Sequence, residues 1–380
     1  MKAKEIIIIG GGIVGSTAAF YLSQHPDIHV TLIDEGTGSA TRAAAGIICP
    51  WLSQRRNQIW YHLVDKGAAF YPDMMQDLQK AGITQLPYQQ TGTMVFKKQD
   101  SLLSKLASLA QERRERSPMI GHLEVLKGQE VTKRIPPLVT DQGAVLTYGG
   151  GRVDGGQLLD QLQELFQQQG GCFIQGKAQL LPNKQIQVES NRYDYDEVIL
   201  AAGAWLPDLL APLGYEVDIR PQKGQLLALD TDFITDDWPG CMLHGEIDIL
   251  PFEDGKIIIG ASHENDQGYD LSLDWEKILQ MKATATSFLP DLQEYEISHT
   301  RVGTRAYTSD FLPFYGRLAD QPSILVASGL GSSGLTCGPF IGWQLAQLIL
   351  SHPFAFDATP YAPNPYIRFQ QGRDSSCSSN

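Results

Sequence analysis

The sequence is poor in several features that would assign it to a class of protein at once. Its five cysteines lie far apart and none form a C-x-x-C pair, so neither a metal site nor a disulfide framework is indicated. Lysine and arginine number 30 against 43 aspartate and glutamate residues. The net charge of −13 disfavours nucleic acid as a partner, because phosphate binding needs a basic face. No Ser-His-Asp order, Cys-His-Asp order or P-loop is visible, so these patterns point to no nucleophilic triad or triphosphate site.

Long apolar segments are also missing. No stretch reaches the roughly 18 uninterrupted apolar residues of a membrane span, and MKAKE, before the first apolar run, is too short for a signal peptide. We therefore expect a cytoplasmic protein without an integral membrane segment. Association with a membrane surface and homo-oligomerisation both stay open. With 42% hydrophobic residues, the 380-residue chain is typical of one large or two smaller globular domains.

The strongest pattern that is present lies near the N-terminus. Residues 6–9 are four consecutive isoleucines, typical of a strand buried on both faces of a parallel sheet. Gly10, Gly12 and Gly15 follow in the G-x-G-x-x-G spacing, and a second apolar strand ends on Asp34. In this spacing the first glycine makes the tight turn, the second admits a pyrophosphate, the third lets helix and strand pack closely, and the acid binds a ribose diol.

This N-terminal pattern predicts dinucleotide binding. A helix N-terminus beside the glycines would present free N–H groups to the phosphates. Asp34 disfavours a 2′-phosphate and therefore NADP. The alternative is a glycine-rich turn in an ordinary α/β domain.

Three further segments add to this interpretation. Small residues at 39–46 predict a close approach of the backbone to the flat part of a cofactor, or else a packing seam. Residues 53–57 (SQRRN) predict a solvated surface turn. Near the C-terminus a buried strand at 323–328, a glycine-rich turn and a helix at 340–350 repeat the strand–turn–helix order. The dipole of that helix can face a polar cofactor edge.

An ordered set of motifs resembles the FAD-dependent D-amino acid oxidase superfamily, which includes glycine oxidase, sarcosine oxidase and D-amino acid dehydrogenase. The motifs are GGGIVG near residue 10, TRAAAGI near 45, VDGGQLL after 152, VILAAGAW ending at 205, RPQKGQLLAL from 220, PFEDGKIIIGAS from 251, GTRAYTSDFLPFYG from 303 and ASGLGSSGLT from 327. The resemblance covers nearly the whole chain. It implies an α/β fold in which a Rossmann-like FAD-binding domain is interleaved with a substrate domain built on a mostly antiparallel sheet.

On this basis the domains are discontinuous. We predict an FAD-binding domain at 1–90, 151–217 and 311–370, a substrate domain at 91–150 and 218–310, and a flexible tail at 371–380. The FAD is expected to be non-covalent, because no cysteine stands near Arg305, the region in which sarcosine oxidase relatives carry one. The resemblance assigns the cofactor contacts to Gly10, Gly12, Ile13, Val14, Gly15, Asp34, Glu35, Thr41, Arg42, Ala44, Ala45, Gly46, Ile47, Gln179, Ala202, Gly203, Trp205, Gly331, Ser332, Ser333, Gly334, Leu335 and Thr336.

The substrate anchor implied by the resemblance is the arginine of a G-x-R motif, which falls on Arg305. A guanidinium binds a carboxylate bidentately and keeps its charge, so the chemistry agrees. The alternative is a structural arginine paired with Asp310. Ala306 stands where relatives carry proline, a departure from the family pattern. Tyr307 either lines the pocket or packs in the core.

A second departure concerns the strand HGEIDIL, in which Asp248 occupies the place of a tyrosine that contacts the substrate carboxylate in relatives. His244 and Glu246 are close by in the sequence. An acid at this place holds a substrate ammonium or a basic side chain; the alternative is a residue that faces a turn. The residues by themselves leave both interpretations open.

The predicted function is oxidative deamination of a small amino acid or amine, D-configured or glycine-like. A hydride passes from the α carbon to flavin N5, and water converts the imino acid into a 2-oxo acid and ammonia. The electron acceptor is oxygen or a quinone-type compound, and no metal is expected. Three alternatives stand beside this prediction: a flavin-binding protein without turnover, an oxidoreductase for a different secondary or basic amine, and an NAD-dependent dehydrogenase.

Overall fold

The computed structural model describes residues 3–243, 245 and 247–370. The predicted tail, 371–380, and the residues His244 and Glu246 lie outside the described residues. The α-helices of the described part span Ile13–Leu22 (α1), Gln58–Lys80 (α2), Asp100–Arg114 (α3), Gln129–Thr132 (α4), Gly155–Gln168 (α5), Leu206–Leu210 (α6), Trp275–Thr286 (α7) and Gly334–Leu350 (α8).

A six-stranded sheet carries the N-terminal motif. Its strands, numbered along the chain, are Lys4–Ile9 (β1), Ile28–Asp34 (β2), Cys172–Gln175 (β9), Glu197–Leu200 (β13), Phe314–Arg317 (β20) and Ile324–Ser328 (β21). The spatial order is β20-β21-β13-β1-β2-β9, and every pair is parallel except β20 with β21. The four isoleucines of β1 are buried, as predicted for a central strand covered on both faces.

An eight-stranded sheet forms the second layer. Its strands are Thr93–Lys97 (β5), Leu123–Leu126 (β6), Gly143–Thr147 (β7), Arg220–Asp230 (β15), Gly240–Met242 (β16), Asp248–Pro251 (β17), Lys256–Gly260 (β18) and Ile297–Tyr307 (β19). The order is β19-β15-β18-β17-β16-β5-β7-β6, and neighbours are antiparallel apart from β16 with β5. The two long strands β15 and β19 are paired along nearly their whole length.

Smaller sheets complete the described part. They consist of Ile47–Ile48 (β3), Tyr88–Gln89 (β4) and Gly151–Val153 (β8); of Ala178–Leu181 (β10), Gln185–Val188 (β11) and Asn191–Asp194 (β12); and of Tyr215–Val217 (β14) and Ile367–Phe369 (β22). The first of these sheets brings the segment just after the small-residue run beside the start of α5.

The predicted fold class is confirmed: a largely parallel sheet with helices is joined to a mostly antiparallel sheet. Each strand of the six-stranded sheet comes from 1–90, 151–217 or 311–370, and each strand of the eight-stranded sheet from 91–150 or 218–310. The division into two domains at those boundaries stays a prediction.

Helix α8 begins earlier than the sequence indicated, at Gly334 rather than at residue 340, and contains Pro339. Proline normally disrupts a helix because it lacks an N–H and leaves the carbonyl four residues earlier without its donor. Here that carbonyl, on Leu335, accepts a hydrogen bond of 2.7 Å from the Tyr71 hydroxyl. A partner supplied by α2 therefore compensates for the proline, a contact that local pattern cannot reveal.

No helix in the described part of the chain is long and apolar enough to cross a membrane. Within the same residues, no group of three or more His, Cys, Asp and Glu side chains is placed to hold a metal ion.

Candidate active site

Three adjoining cavities run past the carboxyl ends of the parallel strands β1, β2, β13 and β21. The large cavity, about 390 Å³, is lined by Arg305, Asp248 and the turn before α8. The middle cavity, about 140 Å³, lies at Gly10 and Gly12, and the terminal cavity, about 180 Å³, at Asp34 and Gln179. Adjacent cavities share lining residues, so together they form one elongated site. In open α/β sheets ligands bind at this end of the strands.

The glycine turn is as tight as the predicted motif requires. Gly10 adopts a φ of +107°, and a Cβ there would lie 2.4 Å from the carbonyl oxygen of Ala201. A Cβ on Gly15 would lie 1.9 Å from the carbonyl oxygen of Gly10. Gly12 is different, because its added Cβ would meet only Thr41 Oγ1, at 3.6 Å, and that side faces the middle cavity. Gly10 and Gly15 are therefore needed for packing, whereas Gly12 leaves space for a ligand.

Asp34 stabilises the turn as well as lining the site. Its carboxylate accepts hydrogen bonds from the backbone N–H groups of Gly11 and Gly36, and it borders both the middle and the terminal cavity. The N-cap residue of α1, Gly12, has no side chain to cap the helix, and the Thr41 hydroxyl accepts only the N–H of Ile13, at 3.1 Å. Free N–H groups at a helix N-terminus favour a phosphate group.

These features fit an extended dinucleotide such as FAD. The helix N-terminus and Gly12 lie between a cavity bordered by a carboxylate and a larger cavity near Arg305. In the middle cavity the Thr304 hydroxyl is buried and has no hydrogen-bond partner among the described residues, so it leaves a polar atom for a ligand.

Most of the residues predicted to contact the cofactor line one or more of the cavities. In the large cavity these are Thr41, Ala44, Ala45, Gly46, Ile47, Gly331, Ser332, Ser333, Gly334, Leu335 and Thr336. In the middle cavity they are Gly10, Gly12, Ile13, Val14, Asp34, Thr41, Ala202, Gly203, Trp205, Gly331 and Gly334. In the terminal cavity they are Gly10, Asp34, Glu35, Gln179, Ala202 and Trp205.

Three predicted residues are not among those that line these cavities. Gly15 is packed behind the turn, as described above. Arg42 points to the surface and forms an ion pair of 2.6 Å with Asp160. Tyr307 is buried against Gly331, and its hydroxyl accepts the backbone N–H of Ser332 at 2.9 Å. Gly15 and Tyr307 thus support segments of the site from behind.

Arg305 lies on β19 and reaches both the large and the middle cavity. Its Nη1 donates to Gln222 Oε1 at 3.1 Å and to the backbone carbonyl of Ser262 at 2.8 Å. The guanidinium lies over Gly224, where a Cβ would come within 2.7 Å of Nη1. Asp310, the alternative partner, accepts hydrogen bonds from Thr308, Leu312 and Tyr366 instead. Two segments of chain, β15 and the loop after β18, therefore hold Arg305 in the cavity.

Asp248 is the first residue of β17 and its half-buried side chain lines the large cavity. Burial raises the pKa of this carboxyl from 3.8 to about 7. No other side chain of the described residues donates a hydrogen bond to it. The buried thiols of Cys49 and Cys241 are close enough that the carboxylate raises their pKa values further. A carboxyl group with a raised pKa in a cavity is a candidate for proton transfer or for binding a cation.

The large cavity also contains residues that the sequence pattern did not indicate. Residues 53–57 were predicted as a solvated turn, and Arg56 is indeed exposed, but Arg55 is half-buried and lines the cavity beside Trp60. His263 and Gly224 are further lining residues. They come from separate strands and loops with no shared spacing. For Arg55 the only signal is a basic residue shortly before the aromatic start of α2.

Comparisons with known proteins agree with this geometry. The family model for FAD dependent oxidoreductases, DAO, matches residues 5–348. An uncharacterised oxidoreductase of Bacillus subtilis (strain 168), YurR, is 38% identical over 367 residues, 95% of this chain and 98% of that protein. A glycine oxidase of Pseudomonas putida (strain KT2440) is 24% identical and covers 95% of this chain and 98% of its own length. The solved structure of an iminodiacetate oxidase from Chelativorans sp. BNC1 superposes with a TM-score of 0.90 at 30% identity, covering 94% of this chain and 98% of that one.

Proposed function

The chain belongs to the DAO family of FAD-dependent oxidoreductases, which act on amine and amino acid donors, and we propose that its substrate is a small amine whose carboxylate binds Arg305. The observation that carries the proposal is the placement of Arg305 where the large and middle cavities meet. Family membership argues against the alternatives of an NAD-dependent dehydrogenase and of a flavin-binding protein without turnover.

Bound FAD would supply the two-electron oxidation of the bond between the substrate carbon and its nitrogen, and water would hydrolyse the imine product to a 2-oxo acid and ammonia or an amine. The residues of the chain position the substrate for this step. Arg305 presents two N–H groups on one edge of a plane, which fixes both oxygens of a carboxylate and hence the direction of the adjacent C–H bond.

Asp248 is proposed to bind the substrate nitrogen. Its carboxylate attracts a substrate ammonium, and with a pKa of about 7 it can accept the proton that the nitrogen must lose before oxidation. Asp248 is paired with Gly260 between β17 and β18, and the chain after Gly260 leads to Ser262, whose carbonyl accepts a hydrogen bond from Arg305, so the strand pairing brings this acid toward Arg305. In relatives a tyrosine at this place is expected to contact the substrate carboxylate, whereas here Asp248 would contact the substrate nitrogen.

A second candidate class is a secondary amine that carries carboxylates, and the structural neighbour described as an iminodiacetate oxidase favours it. Both classes share the Arg305 contact and the same redox chemistry, and they differ in the group beyond the nitrogen.

The test is anaerobic titration of the purified holoenzyme while the visible absorbance of its flavin is recorded. The panel consists of glycine, sarcosine, D- and L-alanine, D- and L-aspartate, D-lysine and iminodiacetate. We expect bleaching by a carboxylated amine and none by the matching decarboxylated amines, methylamine and ethylamine. Equal bleaching by the decarboxylated amines would contradict the role of Arg305. Readmission of air then separates oxygen from a quinone-type compound as the electron acceptor.

A further inference from the structure

The large cavity holds a second guanidinium group. Arg55 belongs to the loop between the short helical turn Pro50–Leu52 and α2, and it lines the cavity together with Arg305 and Asp248. It is half-buried. Because an arginine side chain does not lose its charge, Arg55 brings a permanent positive charge to this wall.

Two aromatic rings contact the guanidinium group of Arg55. The guanidinium carbon of Arg55 lies 4.7 Å from the centre of the Trp60 ring and 5.9 Å from that of Phe311. The Trp60 indole N–H in turn donates to Ser333 Oγ at 3.3 Å, which anchors the ring to the turn before α8. Among the described residues, no carboxylate lies within 4 Å of Arg55 and none accepts a hydrogen bond from its side chain. Neither ring offers the oxygen or nitrogen acceptor of an ordinary hydrogen bond, so these cation–π contacts leave the N–H donors of Arg55 for an anion.

The conformation of Phe311 is an independent indication that the structure holds the Arg55 side chain at the cavity. This residue has a φ of +64°, a region that glycine enters freely and a phenylalanine enters at a cost. Its side chain is nevertheless 42% exposed, so burial does not offset that cost. The Phe311 ring contacts Arg220 as well as Arg55, and the guanidinium carbon of Arg220 lies 4.8 Å from the ring centre. The Phe311 ring also packs edge-on against the Tyr307 ring. A strained and exposed aromatic ring beside a cavity arginine is best explained as a support for that arginine.

We propose that Arg55 binds a second anionic group of the substrate, so that the enzyme acts on amines carrying two carboxylates. This inference rests on the function proposed above. Arg305 holds the carboxylate next to the carbon that is oxidised, Asp248 faces the nitrogen, and Arg55 holds the distal carboxylate. Among the described lining residues, the guanidinium groups of Arg55 and Arg305 and the carboxylate of Asp248 then complement two carboxylates and one ammonium on the substrate. The distal carboxylate is attached either through the nitrogen, as in iminodiacetate, or through a side chain, as in aspartate.

The first experiment measures binding without turnover. The holoenzyme is titrated with oxydiacetate, which has two carboxylates across an ether oxygen and no amine to oxidise, and with methoxyacetate, which has one, while the flavin spectrum and the thermal midpoint are followed. We expect oxydiacetate to bind about tenfold to a hundredfold more tightly, the usual effect of one charged hydrogen-bonded contact. Arg55→Gln should remove most of this preference.

The matched control is Arg220→Gln, because Arg220 stacks on the same Phe311 ring but is exposed and is not among the residues that line the cavity. It should keep the preference for oxydiacetate. For Phe311, which acts through Arg55, the Phe311→Gly variant should weaken oxydiacetate more than methoxyacetate. Phe311→Tyr should restore the preference, an outcome that a merely structural role would not produce.

Kinetics then identify how the second carboxylate is attached. With iminodiacetate and with D- and L-aspartate, Arg55→Gln should lower kcat/KM by about tenfold to a hundredfold more than it does with sarcosine and glycine. A larger loss for iminodiacetate than for the aspartates would indicate attachment through the nitrogen. The inference would be overturned if Arg55→Gln lost kcat/KM equally for one- and two-carboxylate compounds, or if it kept the preference for oxydiacetate over methoxyacetate. In either case, bleaching of the flavin by sarcosine or glycine would still support the proposed function. A flavin that no amine of the panel bleaches would instead contradict the proposed function itself.

Discussion

Beside Asp34 the cavities border a glycine turn and its backbone N–H groups, whereas beside Arg305 three charged side chains from separate segments line the large cavity. The N-terminal motif at the first end comprises a glycine turn, a helix N-terminus and one carboxylate that accepts backbone N–H groups. The substrate end consists of Arg305, Asp248 and Arg55, which belong to β19, to β17 and to a loop before α2. The first set lies within one stretch of sequence, while the second comes from three distant segments.

This difference matches what each end must recognise. A diphosphate is bound by N–H groups that every residue possesses, so the chain supplies space by leaving out side chains. A small amine is distinguished from its relatives by charges at particular positions, and these require particular side chains on a rigid frame. Substitutions should therefore act differently at the two ends: loss of FAD and of folding at one, and altered substrate recognition with FAD retained at the other.

The largest effect is expected for Gly10→Ala. The added methyl group would lie 2.4 Å from the carbonyl oxygen of Ala201, at the end of β13, so we expect protein without FAD or no folded protein. The measurement is the ratio of flavin to protein absorbance together with thermal unfolding. Gly82→Ala is the control, because Gly82 has a similar φ of +104° and nothing within 4 Å of the added Cβ. The free energy of unfolding of this variant should fall by only about 1 kcal/mol, because alanine adopts a positive φ less readily than glycine, and the variant should keep its FAD. Equal FAD content in both variants would mean that the turn is not the nucleotide site.

Arg305→Lys should keep the FAD and damage turnover. The lysine retains the charge and loses the fork of N–H donors, so kcat/KM for a carboxylated amine should fall by roughly a hundredfold, equivalent to about 3 kcal/mol. Steady-state kinetics with an unchanged flavin spectrum would check this. The control is Arg301→Met on the same face of β19, where the side chain contacts the Arg42 carbonyl and lies 3.9 Å from Asp154. Arg301→Met should destabilise the protein and leave kcat/KM nearly unchanged. A large loss of kcat/KM in Arg301→Met with little loss in Arg305→Lys would mean that the substrate carboxylate does not bind Arg305.

Asp248→Asn should change the pH profile. If the ionised carboxylate binds the substrate ammonium, kcat/KM of the wild-type enzyme rises with pH through about 7, and the variant loses that limb. Titration of the substrate amine is common to both enzymes and cancels from the comparison. Asp230→Asn, an exposed acid at the end of β15, is the control and should keep the wild-type profile. A rising limb that survives in Asp248→Asn would assign it to another group.

The Asp248 carboxyl group should also make the free energy of unfolding depend on pH, and this quantity should fall with rising pH where kcat/KM rises. The folded protein retains the Asp248 proton up to about pH 7, whereas the unfolded chain loses it near the ordinary value of 3.8. The contribution to the free energy of unfolding is therefore complete below about pH 4 and declines as the pH rises to about 7. Denaturant unfolding of the apoprotein should show a smaller decline over this range in Asp248→Asn, and an equal decline would contradict the raised pKa.

The smallest effect is expected for Tyr307→Phe, at the border between the two ends. The variant loses the hydrogen bond from the Ser332 N–H to the hydroxyl, 2.9 Å long, and should be less stable by about 1 kcal/mol. Denaturant unfolding measures the loss, and KM should change little because the ring does not line the cavities. Tyr193→Phe on β12 is the control and should be close to wild type. A large rise in KM would instead make Tyr307 a substrate contact.

The interleaving of the two sheets was predicted through the family resemblance, whose ordered motifs span nearly the whole chain. Local pattern by itself identified single elements, such as the isoleucine run of β1, which is buried as expected of a central strand. Pro339 shows the limit, since only Tyr71, from a different helix, explains how α8 continues through it. Arg42 shows another, because its ion pair with Asp160 turns a residue of a cofactor-like motif toward the surface.

The sequence by itself determined a tight glycine turn, an acid close to it in the sequence and an arginine in a G-x-R context. Such features depend on residues within a few positions of one another, where backbone geometry alone sets the distances. Only the tertiary structure decided which side chains share the large cavity: that Asp248 faces it, and that Arg55, predicted as a surface residue, enters it on the faces of Trp60 and Phe311. These contacts join segments far apart in the chain, and packing, not local propensity, places them together.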